Sequence, residues 1–174
     1  MIYFDEEKQA YNNEKTIKNW GKNCIYSCTD EVYDDFIQGK YIWENNILVL
    51  NPDWDSVRCE KQKLKKIQDN DILRDEALIK GVTYKNILFD SDTDQKINLL
   101  AAVQQLRNSE VQTVIWYGKD NQPLECTTDD LINIGSLITA LHSFVWNKNA
   151  EIKKAIKEAK TIEELENIEV KYEF

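Results

Sequence analysis

One stretch in the second half of the chain, residues 131–147, limits what the protein can fold into. It carries no formal charge when the single histidine is taken as neutral. Apolar residues recur there at alternating intervals of three and four, which is typical of an amphipathic helix and not of a strand. The apolar series is Leu131, Ile134, Ile138, Leu141, Val145, Ile152, Ala155 and Ala159. The sequence therefore predicts one long central helix over about residues 128–160, capped by Thr127 or Thr128, with acidic residues in its first turn.

The surroundings of this helix follow from the residues beside the apolar series. Leu137, Phe144 and Trp146 widen the apolar stripe, and the outer positions of the first half are small and neutral. A helix without a charged face is expected to be covered on more than one side. The second half carries lysines that predict a solvated face: Lys153, Lys154, Lys157 and Lys160. The uncharged run is shorter than the roughly 20 apolar residues that a membrane span needs, so no membrane insertion is predicted.

The composition bounds the class of protein. With 174 residues, the chain suits one ordinary domain, or a small module joined to a larger one. A hydrophobic content of 42% is enough for a folded core. The formal net charge of −9 argues against binding to nucleic acids and to anionic membranes, which both require clustered Lys and Arg. An acidic chain gains solubility, and it can also meet a basic partner or mimic a nucleic acid.

The first 52 residues read as a small β-rich module. Ile2 to Phe4 form a strand, a polar turn follows, and Ala10 and Tyr11 return. Another extended piece covers residues 23–28, and a short helix begins after Thr29 and ends at Gly39. A hairpin with its turn at residues 44–46 comes next, and Pro52 closes the module.

Residues 53–174 are predicted to form the second domain. Its elements are a helix over 53–80 with Val57, Leu64, Ile67 and Leu78 on its apolar side, a strand over 82–89, a helix capped by Asp92, strands over 111–117 and 123–126, the central helix, and a last helix capped by Thr161. The predicted fold class is α+β: a small N-terminal β-hairpin module followed by a helical domain with a short antiparallel sheet and one long central helix.

Three alternating aspartates offer a candidate metal site. Asp90, Asp92 and Asp94 have the spacing of the first three ligands of a calcium loop. Gln95 stands where that loop needs glycine, and Ala101 stands where it needs a bidentate glutamate. The acidic run is therefore interpreted as a turn from strand to helix with a capping aspartate, and no metal is predicted.

The cysteines and the histidine are the remaining candidates for chemistry. No signal peptide is visible at the start, so Cys24, Cys28, Cys59 and Cys126 are expected as reduced thiols. Cys24 and Cys28 have a spacing compatible with a metal pair, but no second pair completes it. These four residues and His142 are all predicted to be buried core groups. A single histidine makes a Ser-His or Cys-His catalytic arrangement hard to build, and no Gly-rich phosphate-binding loop is present. We therefore predict no catalytic residues, no cofactor and no enzyme activity.

Motifs across the chain point to a family. In order, they are Arg74-Asp75, Gly81-Val82-Thr83-Tyr84, Phe89-Asp90-Ser91-Asp92, Gln95, Val114-Ile115-Trp116-Tyr117, Asp120-Asn121, Ile152-Lys153 and Ala159-Lys160-Thr161-Ile162-Glu163-Glu164-Leu165. In that order and spacing they resemble a domain of unknown function found in tail proteins of bacteriophages and prophages, over about residues 61–168. The N-terminal part is similar to phage tail-fibre assembly proteins through Ile2-Tyr3-Phe4, Asp30-Glu31-Val32-Tyr33, Gly39-Lys40 and residues 47–52. The resemblance implies a phage tail context and identifies no catalytic residues.

Three functions stay open on these grounds. The first is a non-enzymatic structural component of the distal tail or tail fibre, whose partners are other tail or fibre proteins, with a homo-oligomer as one form of assembly. For it we predict a partner-binding face made of Ser136, Thr139, Ser143 and Trp146. The second is a tail-fibre assembly chaperone, and the third is an acidic counter-defence inhibitor of a host nucleic-acid-binding protein. The expected locations are the virion tail, or the bacterial cytoplasm during assembly.

Overall fold

The computed structural model describes residues 1–19 and 22–174, and it confirms an α+β fold. The chain separates into two compact units, Met1–Lys61 and Gln62–Phe174. The division falls within the helix Trp54–Leu78, a little beyond Pro52, where the sequence places the end of the first module. The location of a domain boundary at residue 52 stays a prediction.

The first unit combines two small antiparallel sheets with short helices. Its elements are β1 (Ile2–Asp5), β2 (Ala10–Tyr11), α1 (Glu14–Asn19), β3 (Cys24–Cys28), α2 (Asp30–Ile37), β4 (Tyr41–Glu44), β5 (Ile47–Leu50) and the first part of α3 (Trp54–Leu78). One sheet has the order β2-β1-β3, and β4 pairs with β5. The predicted N-terminal return strand, the Thr29 cap and the second hairpin are confirmed. Helix α1 was not predicted from the sequence.

Aromatic packing holds the first unit together. Phe4 is almost fully buried, and its ring centroid lies 5.0 Å from that of Trp43 in an edge-to-face arrangement. Tyr33 and Phe36 of α2 contact the same ring. Such aromatic pairs add to the stabilisation from buried apolar area, so one phenylalanine joins the sheet, the helix and the hairpin.

A buried carboxylate fixes the turn between β1 and β2. The Asp5 side chain accepts hydrogen bonds from the backbone N–H groups of Glu7 and Gln9, from the Tyr11 hydroxyl and from the Lys22 ammonium. Burial raises the pKa of Asp5, but the bonds from Lys22, Gln9 and Tyr11 outweigh it and lower the pKa to about 2. The carboxylate is therefore charged at neutral pH and stabilises the turn by accepting hydrogen bonds from its backbone N–H groups.

The second unit contains the remaining elements. They are the rest of α3, β6 (Val82–Tyr84), β7 (Ile87–Phe89), α4 (Thr93–Arg107), β8 (Thr113–Tyr117), β9 (Pro123–Thr127), α5 (Thr128–Glu158) and α6 (Ile162–Glu166). The predicted single strand over 82–89 is wrong, because Lys85 and Asn86 adopt positive φ and fold it into the β6–β7 hairpin. A two-residue turn with both central residues at positive φ matches the twist of the strands that it joins. The antiparallel strands predicted for this unit form two separate two-stranded sheets, β6–β7 and β8–β9.

The apolar series of the central helix forms the core of this unit. Leu131, Ile134, Ile138 and Val145 are completely buried, and so is Phe89 of β7. The gap that the sequence shows at Lys148 is filled by its neighbour Asn149, which is buried. The Asn70 amide donates to the Asn149 side-chain oxygen at 2.7 Å, and the Tyr172 hydroxyl donates to Asn70 at 2.6 Å. This buried polar network gives both side-chain oxygens a donor and joins α3, α5 and the C-terminal segment.

Among the described residues, no helix has the length and apolar character that a membrane crossing requires.

Candidate interaction surface

The outer face of α5 is open along its uncharged stretch. Ser136, Thr139, Ser143 and Trp146 are all exposed and lie on this face, as do Ile132, Asn133, Ala140 and Asn147. The expectation that the first half of the helix is covered on more than one side is therefore wrong for this face. The sequence could not distinguish the two cases, because small neutral residues fit a buried helix and a docking face equally well.

A groove between α4 and α5 adjoins the open face. It has a volume of about 400 Å³. Its lining includes Leu100, Val103, Ile132, Gly135 and Thr139. Leu100 is 69% exposed and Ile132 is 38% exposed, so the groove presents apolar surface to water. Apart from the backbone of its own helix, a Cβ added at Gly135 meets no atom within 4 Å, so the groove is unfilled at this position. We call the groove together with Ser136, Ser143 and Trp146 the α4–α5 surface.

Two hydroxyl groups of this surface, those of Ser136 and Thr139, are already bonded within the helix. Ser136 donates to the Ile132 carbonyl at 2.8 Å, and Thr139 donates to the Gly135 carbonyl at 2.9 Å. Neither hydroxyl therefore needs a partner for its proton, and the surface behaves as a small, neutral contact area. The chain as a whole carries −9, so an uncharged, partly apolar area of this kind is suited to contact with another protein.

A buried aspartate fixes the start of α5. Asp130 completes a capping box with Thr127, and it also accepts hydrogen bonds from the Tyr84 hydroxyl at 2.8 Å and the Lys85 ammonium at 2.6 Å. The bond from Lys85, followed by those from Thr127 and Tyr84, holds the pKa of this carboxyl well below its usual range. These contacts tie the turn of the β6–β7 hairpin to the first turn of the helix. The helix start, and with it Ile132, is held in place.

His142 fixes the other wall of the groove. The Lys96 ammonium lies 2.7 Å from His142 Nδ1, and His142 Nε2 lies 2.7 Å from the Ser91 carbonyl oxygen. An ammonium can only donate, so Nδ1 accepts and Nε2 carries the proton that is donated to Ser91. The half-buried imidazole therefore connects α5 to the start of α4. His142 therefore has a structural role, as the sequence predicted, with hydrogen-bond partners for both ring nitrogens, although its side chain is not fully buried.

Trp146 marks the far end of the surface. Its indole is 50% exposed, and the Arg74 guanidinium lies 4.9 Å from the ring centroid. Arg74 is itself paired with Asp71 and Asp75. A cation stacked on one side of the indole limits its motion and leaves the exposed part available for contact.

The other candidates occupy structural positions. Asp92 caps α4 by accepting from the Gln95 N–H, and Asp90 pairs with Lys119 at 3.6 Å. Over residues 1–19 and 22–174, no three His, Cys, Asp or Glu side chains are grouped so that they could hold a metal ion. All four cysteines are free thiols: Cys28, Cys59 and Cys126 are buried as predicted, whereas Cys24 is exposed and the prediction is wrong there.

The acidic residues of α2 do not form a free stripe. Asp30 binds the N-terminal ammonium at 2.9 Å, and Asp35 pairs with Lys40. Two of the four α2 carboxylates (Asp30, Glu31, Asp34 and Asp35) are thus neutralised locally. This arrangement favours an ordinary capped and ion-paired helix.

Comparison with known proteins identifies the second unit. No curated protein and no solved structure matches the chain. A family model described as "Domain of unknown function (DUF4376)" matches residues 61–171, close to the interval 61–168 over which the sequence resembles such a domain. Because this match covers more than half of the 174 residues, the chain belongs to the DUF4376 family.

Proposed function

We propose that this protein is a non-enzymatic structural component of the distal tail or tail fibre of a bacteriophage or prophage, and that it contacts a neighbouring subunit through the α4–α5 surface. The observation that supports this best is the open, uncharged face of α5 beside an unfilled apolar groove. The phage context comes from the motif resemblance described above. The work of such a subunit is to make lasting contacts with neighbours, which requires a surface of this kind.

The surface is well prepared for binding. Its two helices are held by the Asp130 cluster at one end and by the His142 bridge along the groove. A rigid surface loses little conformational freedom on association, so more of the contact energy appears as affinity. An assembly chaperone could use the same face and then leave. Analysis of purified particles distinguishes this alternative from a structural component.

The first experiment is mass spectrometry of particles purified from the phage or the induced prophage. A structural component is expected at a fixed copy number relative to a major tail subunit. Absence from particles, combined with recovery of tail-fibre protein in a pull-down from infected cells, would identify an assembly chaperone. Absence combined with recovery of a host nucleic-acid-binding protein would identify the inhibitor.

Replacing Ser143 with glutamate tests the surface directly. The side chain is exposed, so we expect a change in the free energy of unfolding of no more than about 0.5 kcal/mol. A charge buried at an interface without a partner should weaken assembly at least about tenfold, or about 1.4 kcal/mol. The measurement is the amount of the variant incorporated into particles.

The matched control for that variant is Ser56→Glu. Ser56 is also an exposed serine in a helix, but it lies in the first unit. This control should incorporate like the unchanged protein. Equal incorporation of both variants would show that the α4–α5 surface is not the assembly interface.

A further inference from the structure

We infer that the occupant of the α4–α5 surface is a second copy of this chain. In this arrangement the two α5 helices run antiparallel about a two-fold axis at Thr139, and the Trp146 indole of each copy enters the groove of the other. The inference rests on the proposed function in that both use the same surface, and it adds the identity of the partner.

Large and small residues are arranged symmetrically along α5 on either side of Thr139, as an antiparallel two-fold pair requires. Ile132 and Trp146 lie seven residues before and after Thr139, while Gly135 and Ser143 lie four residues before and after it. Two helices that cross approach most closely at the crossing point and diverge on either side. Small residues at the centre allow the close approach, and the larger residues fill the space where the helices separate. Ile132 then lies opposite the partner's Trp146.

The α4–α5 groove lies on the side of α5 that faces the partner's Trp146 indole. Trp146 lies eleven positions after Gly135, so at 3.6 residues per turn both project within about 20° of each other around the helix. A two-fold axis perpendicular to the helix pair keeps that flank on the same side in both copies. The partner's Trp146 therefore meets the space above Gly135, beside Leu100 and Val103, where the groove is unfilled. Aromatic anchors in apolar pockets are the usual centres of binding energy at interfaces.

The charges at the two ends of α5 favour a second copy in this direction. Asp129 is exposed in the first turn, and Lys154 is exposed in the second half. In the antiparallel pair, Asp129 and the partner's Lys154 are offset by five residues, about 7.5 Å along the axis, which a flexible lysine side chain can bridge. A parallel pair would instead place like charges opposite each other. The uncharged centre is also where two chains of charge −9 can approach without repulsion.

The first test is the oligomeric state of the full chain, measured by sedimentation over a range of concentrations. The unchanged protein should form a dimer in a concentration-dependent manner. Gly135→Leu places a side chain in open space within the groove, so this variant should fold and should keep its melting temperature at concentrations where both proteins are monomeric. Its dimer should dissociate at least tenfold more readily. Trp146→Ala should weaken the dimer similarly. Gln68→Leu, which adds a leucine at an exposed site of α3, is the control and should dimerise normally.

Cysteine cross-linking tests the direction of the pair. The exposed Cys24 is first replaced by serine. In that background Thr139→Cys should form an intermolecular disulfide under mild oxidation, because the two copies of residue 139 meet at the axis. Ile132→Cys should not, because its two copies lie about 21 Å apart along the helices. Cross-linking at both positions would indicate a parallel pair, and cross-linking at neither would exclude this interface; either result overturns the inference.

The dimer and the tail function can fail independently of each other in these experiments. A chain that stays monomeric at every concentration but is present in particles would overturn the pairing and leave the tail function in place. A dimer that is blocked by Gly135→Leu, in a protein absent from particles, would support the pairing and contradict the tail function. A dimer that is unaffected by both Gly135→Leu and Trp146→Ala would contradict the use of this surface.

Discussion

Replacing Asn70 with leucine is expected to lower the free energy of unfolding by about 2–4 kcal/mol. Leucine has the same number and branching of side-chain heavy atoms as asparagine, so the change removes hydrogen bonds without opening a cavity. It leaves Asn149 without its donor and the Tyr172 hydroxyl without its nearest acceptor, both in a buried site. A buried polar group that loses its partner costs about 1–3 kcal/mol. The loss stays below the sum because the hydroxyl also lies 3.4 Å from Asn149 Oδ1.

The measurement is urea denaturation of the variant and of two companions. Gln68→Leu makes the same kind of change at an exposed position of the same helix and should be nearly neutral. Tyr172→Phe should cost about 1–2 kcal/mol by itself. Because Asn70 and Tyr172 share one network, the double variant should lose at least about 0.5 kcal/mol less than the sum of the single losses. Strictly additive losses would show that the network does not act as a unit.

This network matters for the interaction surface because of where it is placed. Asn149 lies three residues after Trp146 on α5, and Asn70 lies four residues before Arg74 on α3. The hydrogen bond between the two asparagines therefore sets the separation of the helices one turn away from the Arg74–Trp146 stack. Loss of this hydrogen bond should make the position of the Trp146 indole less well defined. A destabilised Asn70 variant is thus expected to bind its partner more weakly as well.

Features set by local sequence were predictable. The core stripe of α5 follows from residues three and four positions apart, which share one face of any helix, and seven of its members are buried: Leu131, Ile134, Ile138, Leu141, Val145, Ile152 and Ile156. Ile156 is absent from the predicted series, whereas Ala159, which is part of it, is buried and Ala155 is half-buried. On α3, Leu64 was expected on the apolar side, yet it is 64% exposed. Periodicity is a weaker guide in that helix, where apolar residues are sparse and lysines alternate with them.

Features that depend on pairing across the chain were not predictable. The Tyr84–Asp130 bond joins residues 46 positions apart, and the Asn70–Asn149 bond joins residues 79 positions apart. No local pattern indicates which distant side chains will meet. The β6–β7 hairpin was missed for a related reason, because its turn residues Lys85 and Asn86 include no glycine to mark it.

The candidate surface was found in part. Residue type and helical spacing placed Ser136, Thr139, Ser143 and Trp146 on one face, and the structure exposes all four. Their role in binding stays a prediction. The groove beside them was missed, since it needs α4 as its second wall. Gly135 could have drawn attention to it, because a glycine inside a helix costs about 1 kcal/mol relative to alanine and often has a reason in packing or function.

Replacing Asp130 with alanine is expected to cost about 2–4 kcal/mol of unfolding free energy and to disturb the interaction surface. The change removes a capping box, worth about 0.5–2 kcal/mol, and charge-assisted hydrogen bonds from the Lys85 ammonium and the Tyr84 hydroxyl. Asp129→Ala is the matched control, because this neighbour is exposed in the same turn. The control should lose only the small dipole contribution of about 0.3–1 kcal/mol.

The cost of the Asp130 substitution should also depend on pH in a definite direction. Its folded-state pKa lies below the unfolded value of about 3.9, so its stabilising contribution is complete above that pH and is lost as pH falls towards the folded-state value. Urea denaturation at several pH values should therefore show the gap between the unchanged protein and Asp130→Ala narrowing below about pH 4. A gap that stays constant down to pH 2 would mean that the carboxylate charge contributes nothing. Since Ile132 follows Asp130 by two residues, a frayed first turn should displace this wall of the groove, and Asp130→Ala should dimerise more weakly than the unchanged protein at neutral pH.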